Sequence, residues 1–402
     1  NRAIELYLQK KSENEGWERQ INGLSNNEKA NLLLEKHTFK ELLADVEQRN
    51  LQNNIVGLEA SRLFARSEIN MGVDAFRDSL YAMLKRNTFL NIKFENMLDT
   101  LGEMSRTDLY SYLKEWEQLT PLPFYSIGEP ELTKVVNKGG EEFFVLKVLV
   151  SNNSDYDGII QMNVLQNGWW YQPMEDPRAR KKVEIAAHTS KEFVSVWEEQ
   201  IRDVEINTMV SGNLPYMIRQ SIGNVKQERN KIVKDTIYTL PESSLEMPGE
   251  VIVDNEDSTL FVLSTPAVVG LLPKWLDKVE DTSFKYSGIS WWRAPLQWTA
   301  TTNAKYYGKY IRSAYVIKSG DGSQTATWKI PVPEAGQYEL YYHVFKDDEL
   351  RWNDRLQGEY HFRVAYDSEM EDAYINLRKA NEGWEQLGTY YFSADTVRVV
   401  LT

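Results

Sequence analysis

The strongest constraint on the fold is a change of hydrophobic period at PLPF (Pro121–Phe124). Before it, apolar residues such as Val73, Phe76 and Leu80 recur at a spacing of about 3.6 residues, which is typical of an amphipathic helix. After it, apolar and polar residues alternate, which is typical of half-buried β-strands. The sequence therefore predicts a helical region over residues 1–120, followed by a part built only of strands.

The strand-rich part divides into two predicted sandwiches. EEFFVLKVLVSN and the short apolar stretches after it predict an immunoglobulin-like β-sandwich over residues 121–222. Residues 223–248 are polar, charged and poorly periodic, and we interpret them as a linker. TATWKIPVP, QYELYYHV and EYHFRVAY then predict a second, jelly-roll-like β-sandwich over residues 249–402. The predicted fold class is a multidomain α + all-β protein.

Alternation also assigns faces within the second sandwich. Trp328 lies on the apolar side of TATWKIPV, and Trp384 lies in GWEQLG, so both are predicted to belong to the core. His343 and His361 share their sides with polar residues and are predicted to face outward. The two imidazoles could meet across adjacent strands, but two ligands do not make a zinc site.

Composition and missing motifs exclude several classes of function. The chain has no cysteine, which excludes thiol catalysis, disulfides and cysteine-bound zinc. Its net charge of −13 argues against nucleic-acid binding, which needs a basic surface. HExxH, GxSxG, the P-loop and GxGxxG are absent, so we predict no enzymatic activity for this chain. The longest apolar run, AVVGLL, is far shorter than the about 20 residues of a membrane-spanning helix.

One short stretch could hold a metal ion. DNED brings together the carboxylates of Asp254, Glu256 and Asp257, and Ca²⁺ prefers such oxygen ligands. The stretch lacks the spacing of an EF-hand, and a solvated turn is the alternative interpretation. We therefore predict no cofactor, with calcium at DNED as the one metal candidate.

The tryptophan-rich stretch GISWWRAPLQWTATT is the candidate binding site. Trp291 and Trp292 are adjacent, so on a strand they point to opposite faces and only one can enter the core. The other ring, together with Trp298, could stack on a sugar. Arg293 and Asn303 would then supply hydrogen bonds. The same ring would suit a contact with another domain or a protein partner, and we favour that interpretation.

The C-terminal third carries a family resemblance. YYGKYIRSAYVIKSGDGSQTATWKIPVPEAGQYELYYHV, GEYHFRVAY and GWEQLGTYYFSADTVRVVL resemble the golvesin C-terminal-like domain, with similarity over about residues 249–402. The resemblance implies a bacterial β-sandwich of the kind found at the ends of secreted polysaccharide-degrading enzymes, including xanthan lyases, and of other envelope proteins.

The upstream region resembles a second family. LEASRLFARSEINMGVDAFRDSLYAML is similar to the helical tail behind the catalytic centre of gluzincin-class zinc aminopeptidases. With YLKEWEQLTPLPFYSI, NLP at residues 213–215 and the golvesin-like end, the chain resembles bacterial ABC-type permeases fused to an aminopeptidase-like domain. The zinc motif and the GxMEN loop of that family are absent here, so no catalytic residue can be transferred. Aminopeptidase activity is an expectation for a longer parent protein alone.

These features give two main functional hypotheses; a third, that the chain itself is an enzyme, would need a buried acid–base pair in a pocket, and nothing in the sequence singles one out. The chain opens in a helical pattern without an initiator methionine, and we expect a segment of a longer polypeptide. The first hypothesis is a non-catalytic, extracytoplasmic (periplasmic or cell-surface) region of a bacterial envelope protein, tethered to a membrane through its other parts. It would position a peptidase-like or membrane part and bind a protein partner or polysaccharide. The alternative is the carbohydrate-binding end of a secreted polysaccharide-degrading enzyme such as a lyase.

Overall fold

The computed structural model describes residues 2–8, 15–88, 93–115, 118, 121–165, 176–229, 233–242, 245, 249–264, 284–289, 294–346, 358–367 and 369–402. Helices precede several β-sheets, which confirms the predicted α + all-β fold class. The chain divides into two compact units. Unit 1 comprises Asn1–Glu18, Leu24–Leu245 and Lys309–Ile311, and unit 2 comprises Arg19–Gly23, Glu246–Gly308 and Arg312–Thr402.

The α-helices of the described residues all lie before residue 116, and a 3-10 turn follows at Pro177–Ala179. The α-helices are α1 (Arg2–Leu8), α2 (Glu15–Asn22), α3 (Asn26–Leu34), α4 (Phe39–Ala44), α5 (Gln52–Met71), α6 (Val73–Arg86), α7 (Phe94–Ser105) and α8 (Leu109–Glu115). None of these helices combines the length and the hydrophobicity needed to cross a membrane.

The strands follow from residue 125 onward. They are β1 (Tyr125–Ile127), β2 (Glu131–Val136), β3 (Glu142–Asn152), β4 (Gly158–Leu165), β5 (Arg180–Ile185), β6 (Thr189–Trp197), β7 (Asp203–Asn207), β8 (Met217–Ser221), β9 (Val225–Arg229), β10 (Thr236–Pro241), β11 (Phe261–Ser264), β12 (Thr299–Thr302), β13 (Ser313–Val316), β14 (Thr325–Pro331), β15 (Gly336–Val344), β16 (Glu359–Tyr366), β17 (Glu369–Asn376), β18 (Gly383–Phe392) and β19 (Thr396–Leu401).

Capping residues and a glycine mark the ends of several helices of unit 1. Ser25 and Glu28 form a capping box at the start of α3, and Thr38 and Glu41 form another at the start of α4. Each box satisfies backbone N–H groups that have no partner inside the helix. Gly72 separates α5 from α6 with a φ of 88°, a conformation that glycine adopts without a steric cost.

The apolar stripes of these helices meet in one core. Phe64 of α5, Phe76 and Leu80 of α6, and Leu98 of α7 are fully buried together. The rings of Phe64 and Phe76 lie 5.6 Å apart. The predicted periodic stripe of α6 is therefore the side of the helix that carries its buried residues.

The sandwich of unit 1 consists of two sheets with an aliphatic core between them. One sheet has the order β10-β6-β3-β2-β9, with β1 also paired to β3, and the other has the order β5-β4-β7-β8. Val148 and Val150 of β3 pack with Ile160 of β4 and Ile206 of β7. These residues are almost completely buried, as the alternation in VLKVLV predicts.

The helices also contact the sandwich within unit 1. The Lys182 ammonium on β5 forms an ion pair with the Glu68 carboxylate on α5; the Glu68 side chain is buried and that of Lys182 is mostly so. The Tyr7 hydroxyl donates to the other oxygen of Glu68 at 2.5 Å. Asn31 Nδ2 donates to the Met209 carbonyl at 3.1 Å. Polar bonds therefore join the two layers of this unit.

The structure differs from the predicted linker at residues 223–248. β9 pairs in parallel with β2, and β10 pairs antiparallel with β6, so both strands extend the first sheet. Most of their side chains are exposed because each strand lies at an edge of the sheet. Because both sides of these edge strands are largely exposed, neither strand shows the alternation of buried and exposed residues that would have revealed it.

Unit 2 contains a five-stranded sheet with the order β11-β14-β19-β16-β17 and the two-stranded sheets β12-β13 and β15-β18. Its core joins Leu340 of β15 and Phe392 of β18 to Phe362 of β16 and Val399 of β19. Trp328 packs against this core and is partly buried, with its ring 5.2 Å from that of Phe261. The β15-β18 sheet thus covers one side of the core and has a second side, which is the subject of the next subsection.

Candidate functional site

The outer side of the β15-β18 sheet carries a regular set of aromatic and polar side chains. On β15, residues at odd positions alternate with inward-facing Tyr338, Leu340 and Val344. We call this surface the β15–β18 face. It consists of the cross-strand pairs Gln337–Tyr391, Glu339–Thr389, Tyr341–Gln386 and His343–Trp384.

A β-bulge interrupts the pairing in the middle of this sheet. Leu340 pairs with Gly388, but the next residue, Tyr341, pairs with Gln386. Leu387 is therefore an extra residue on β18 without a counterpart on β15. Such an insertion shifts the alternation of the strand and redirects the side chains beyond it.

The bulge decides where Trp384 points. Tyr390 and Phe392 are buried in the core, and strict alternation back from them would also bury Trp384. Because of the extra residue, Trp384 instead shares the outer face with Tyr391, and 47% of it is exposed. The prediction that Trp384 belongs to the core is wrong for this reason.

Gly388 makes the bulge sterically feasible. A Cβ added at this position would lie 2.7 Å from the Tyr390 hydroxyl oxygen and 2.8 Å from its ring. Real side chains do not come so close, and the Tyr390 ring is held in the core. A glycine inside a strand often marks a bulge, so this residue was the feature of the sequence that could have revealed it.

Three rings gather at one end of the face. The Trp384 ring lies 4.8 Å from that of Tyr307 and 5.3 Å from the imidazole of His343, and Tyr307 and His343 lie 5.5 Å apart. Edge-to-face contacts of this kind stabilise aromatic clusters. Asn303, predicted to bind a ligand, shapes the loop that carries Tyr307: its Oδ1 accepts from the Lys305 N–H at 2.9 Å.

The charges near this cluster are set by burial. Burial, and then the neighbouring Arg312 guanidinium, lower the pKa of His343 to about 4, so the imidazole is neutral at pH 7 and offers one donor and one acceptor. Burial lowers the pKa of Arg312 to about 10, so Arg312 stays charged, and its Nη1 donates to the Ala304 carbonyl at 2.8 Å. Along the face, the Tyr341 hydroxyl donates to Glu339 at 2.5 Å.

The two histidines do not meet. His361 lies on β16 in the five-stranded sheet, whereas His343 lies on β15 in the two-stranded one. His361 Nε2 lies 2.7 Å from Asp372 Oδ1, and its ring stacks on Tyr374 at 4.7 Å. Both histidines are half-buried rather than fully outward.

The tryptophan-rich stretch is described only in part. Trp291, Trp292 and Arg293 lie outside the described residues, so their predicted division between core and surface stays a prediction. Trp298 is half-buried, and its Nε1 donates to the Ser264 carbonyl at 3.3 Å.

The carboxylates of DNED contact different protein groups. Asp257 Oδ1 accepts from the N–H and the hydroxyl of Thr259 at 2.9 and 2.6 Å. Glu256 accepts from Lys285 Nζ at 2.5 Å and from the Tyr286 hydroxyl at 3.1 Å. Burial raises the pKa of Asp254 to about 6. In the part of the chain that the structure describes, no group of three or more histidine or carboxylate side chains is arranged to hold a metal ion.

Comparisons with known proteins bear on unit 2. Residues 292–402 match the family model of the Golvesin C-terminal domain, a range that includes both strands of the β15–β18 face. The predicted golvesin-like ending is therefore confirmed. No curated protein matches the chain.

A solved structure, that of a Paenibacillus xanthan lyase, aligns with 70% of this chain and 25% of its own, at 16% identity and a TM-score of 0.25. The chain thus spans about a quarter of the length of that structure. The resemblance to permease–aminopeptidase fusions is not tested by these matches and stays a prediction.

Proposed function

We propose that unit 2 is a non-catalytic polysaccharide-binding module and that the β15–β18 face is its binding surface. The observation that carries the proposal is that Trp384, Tyr341 and Tyr391 lie on one face while 47%, 43% and 62% exposed, respectively. Large exposed aromatic groups on a protein surface usually mark an interaction site.

The chemistry of the face favours a sugar over other ligands. A sugar ring has an apolar C–H side, which stacks on aromatic rings, and a rim of hydroxyl groups. On the face, Gln337 lies opposite Tyr391 and Gln386 lies opposite Tyr341, so each ring has a hydrogen-bonding neighbour. A protein partner would favour a contiguous apolar centre with polar groups at the rim. The net charge of −13 disfavours nucleic acid.

The ionisable groups of the face support binding rather than cleavage. Glycoside hydrolysis commonly uses two carboxyl groups that flank the scissile bond. Among the eight residues of the face, Glu339 is the one carboxylate, and the Tyr341 hydroxyl donates to it. We therefore assign to this surface no role in bond breaking.

In this proposal the chain works outside the cytoplasm, as part of a bacterial envelope protein or of a secreted polysaccharide-degrading enzyme. The golvesin match of residues 292–402 supports this setting. Unit 1 would then connect the binding module to the remainder of the protein.

The test is polysaccharide binding by the full chain, measured by affinity electrophoresis on a panel of neutral and acidic polysaccharides and then by calorimetry. Trp384→Ala should weaken binding about tenfold or more, because it removes the largest stacking ring. Tyr374→Ala is the control, since Tyr374 is 57% exposed in the same unit but lies on β17 of the other sheet. Failure of every polysaccharide to bind, or equal losses in the two variants, would overturn the proposal.

A further inference from the structure

We infer that the β15–β18 face binds the interior of an extended β-1,4-linked glycan, with several consecutive sugars in contact, rather than a single terminal sugar. This inference rests on the proposed function and specifies its ligand.

The spacing of the rings is the first argument. Tyr391 pairs with Gln337 and Trp384 pairs with His343, and six positions along β15 separate these two partners. At the rise of a β-strand this places the two outer rings about 20 Å apart. One sugar ring is far shorter than that span, so a ligand that touches both must be a chain.

The openness of the face is the second argument. Recognition of a single small ligand normally uses a concave site that encloses most of its surface. Here the rings of Tyr391, Tyr341 and Trp384 are exposed to a similar extent, and all three belong to the outer side of one sheet. The surface therefore suits a ligand that passes along it.

The order of the side chains is the third argument. The aromatic residue lies on β18 at Tyr391, on β15 at Tyr341 and on β18 again at Trp384, each opposite a group that can form hydrogen bonds. A repeated pattern of this kind matches a repeating ligand. The rings follow the length of the strands, so the bound chain must be straight, as β-1,4-linked chains are and coiled α-1,4-linked chains are not.

The bulge is what makes this arrangement feasible. Trp384 and Tyr391 are seven positions apart, an odd number, so an unbroken β18 would place them on opposite faces. The extra residue Leu387 brings both to the same face. The bulge thus extends the aromatic surface from one end of the sheet to the other.

The test uses calorimetry of the full chain with cellobiose, cellotetraose and cellohexaose, and with maltohexaose as the coiled counterpart. The wild-type affinity should rise about tenfold or more from cellobiose to cellohexaose, because each added contact multiplies the affinity. Tyr391→Ala should weaken cellohexaose binding about tenfold and leave cellobiose binding unchanged, whereas Trp384→Ala should weaken both. Tyr374→Ala, which removes a tyrosine from the other sheet, should change neither.

The outcomes separate this inference from the proposed function. Equal affinity for cellobiose and cellohexaose, or equal effects of Tyr391→Ala and Tyr374→Ala, would overturn the inference and leave a polysaccharide-binding surface in place. Maltohexaose binding as tight as cellohexaose binding would do the same. Binding of polysaccharides that lack β-1,4-linked backbones, without any binding of cello-oligosaccharides, would overturn the assigned linkage alone. Absence of all saccharide binding would overturn both proposals.

Discussion

Trp197 of unit 1 and Trp384 of unit 2 have different surroundings. In unit 1, Trp197 lies in the sandwich core, its Nε1 donates to Ser195 Oγ at 2.8 Å, and the guanidinium of Arg178 lies 5.2 Å from its ring. In unit 2, the Trp384 ring contacts those of Tyr307 and His343, and 47% of the residue is exposed. Trp197 is thus a part of a core, whereas Trp384 is a part of a surface.

The cores of the two units also differ in their residue types. The sandwich of unit 1 is filled mainly by Val, Ile and Leu with almost no exposure, whereas tyrosines that are partly exposed surround the core of unit 2. Close-packed aliphatic residues contribute stability and leave no ring free for a ligand. Unit 2 differs in that three exposed aromatic residues, Tyr341, Trp384 and Tyr391, lie on one face of one two-stranded sheet.

The largest expected effect separates the two tryptophans. Trp197→Ala should destabilise unit 1 by about 3–5 kcal/mol, because it leaves a cavity in a core. Trp384→Ala should cost less than about 1 kcal/mol, as substitutions at exposed positions do. Urea unfolding followed by circular dichroism measures both. Similar losses of unfolding free energy would contradict the distinction between the units.

The second prediction concerns ion pairs. Lys182→Met should destabilise unit 1 by about 3 kcal/mol, because it leaves the buried Glu68 carboxylate without its cation. The exposed pair Lys305–Glu382 of unit 2, at 3.7 Å, is the control, and Lys305→Met should cost about 0.5 kcal/mol or less.

A double variant sharpens this test. Lys182→Met combined with Glu68→Gln should recover part of the lost stability, since the uncompensated charge is gone. A double variant as unstable as Lys182→Met would show that the loss comes from packing, and the ion pair would not be the reason.

The third prediction concerns the bulge. Gly388→Ala should destabilise unit 2 by about 1–3 kcal/mol, because the new Cβ overlaps Tyr390. It should also weaken saccharide binding, since the bulge must shift to relieve the overlap. Gly358→Ala is the control, because nothing lies within 4 Å of a Cβ there. Unchanged stability of Gly388→Ala in thermal unfolding would show that the bulge does not depend on glycine.

The smallest effect is a pH dependence that has opposite signs in the two units. The pKa of His343 in unit 2 is lowered to about 4 in the folded state. Between about pH 6.5 and pH 4, His343 therefore binds a proton more readily in the unfolded chain, and the free energy of unfolding falls as the pH falls. In unit 1, hydrogen bonds to Asp155 and then to Glu242 raise the pKa of His188. The stabilisation that protonated His188 gives to the folded state is therefore present below about pH 6.5 and is lost as the pH rises through the raised pKa.

Asparagine variants test the two signs separately. His343→Asn should remove part of the loss of stability on the acid side. His188→Asn should remove part of the loss above neutral pH, and asparagine tolerates the positive φ of 52° at this position. Unfolding midpoints measured from pH 4 to pH 8 should show both changes. If both variants changed the pH dependence of the unfolding midpoint in the same direction, the assigned pKa shifts would be contradicted.

The sequence predicted those parts of the fold whose faces differ clearly in polarity. The stripe of α6 and the alternation of β3 and β16 mark buried sides, and the structure places residues such as Phe76, Val148 and Phe362 there. β9 and β10 escaped prediction because most of their residues are exposed on both sides of an edge strand, so buried and exposed positions do not alternate. A strand can be predicted from sequence when only one of its sides is buried, because its apolar and polar residues then alternate.

The candidate site was less predictable than the fold. The sequence pointed to aromatic residues in the golvesin-like region but selected Trp291, Trp292 and Trp298, and assigned Trp384 to the core. Strict alternation assigns every second residue of a strand to the same face. It cannot predict a β-bulge, because the position of the extra residue depends on how the two strands pair. Tyr341 was also missed, since its place beside Gln386 depends on that same register.

The bulge at Leu387 also has an evolutionary consequence. Gaining or losing one residue inside β18 would exchange the inner and outer sides of every position between it and the end of the strand. The outer aromatic surface would thus arise from a single three-nucleotide insertion, with all the residue types already in place. Relatives aligned without a gap inside this strand would match Trp384 to a core position, and the gap is where a search for the same surface should begin.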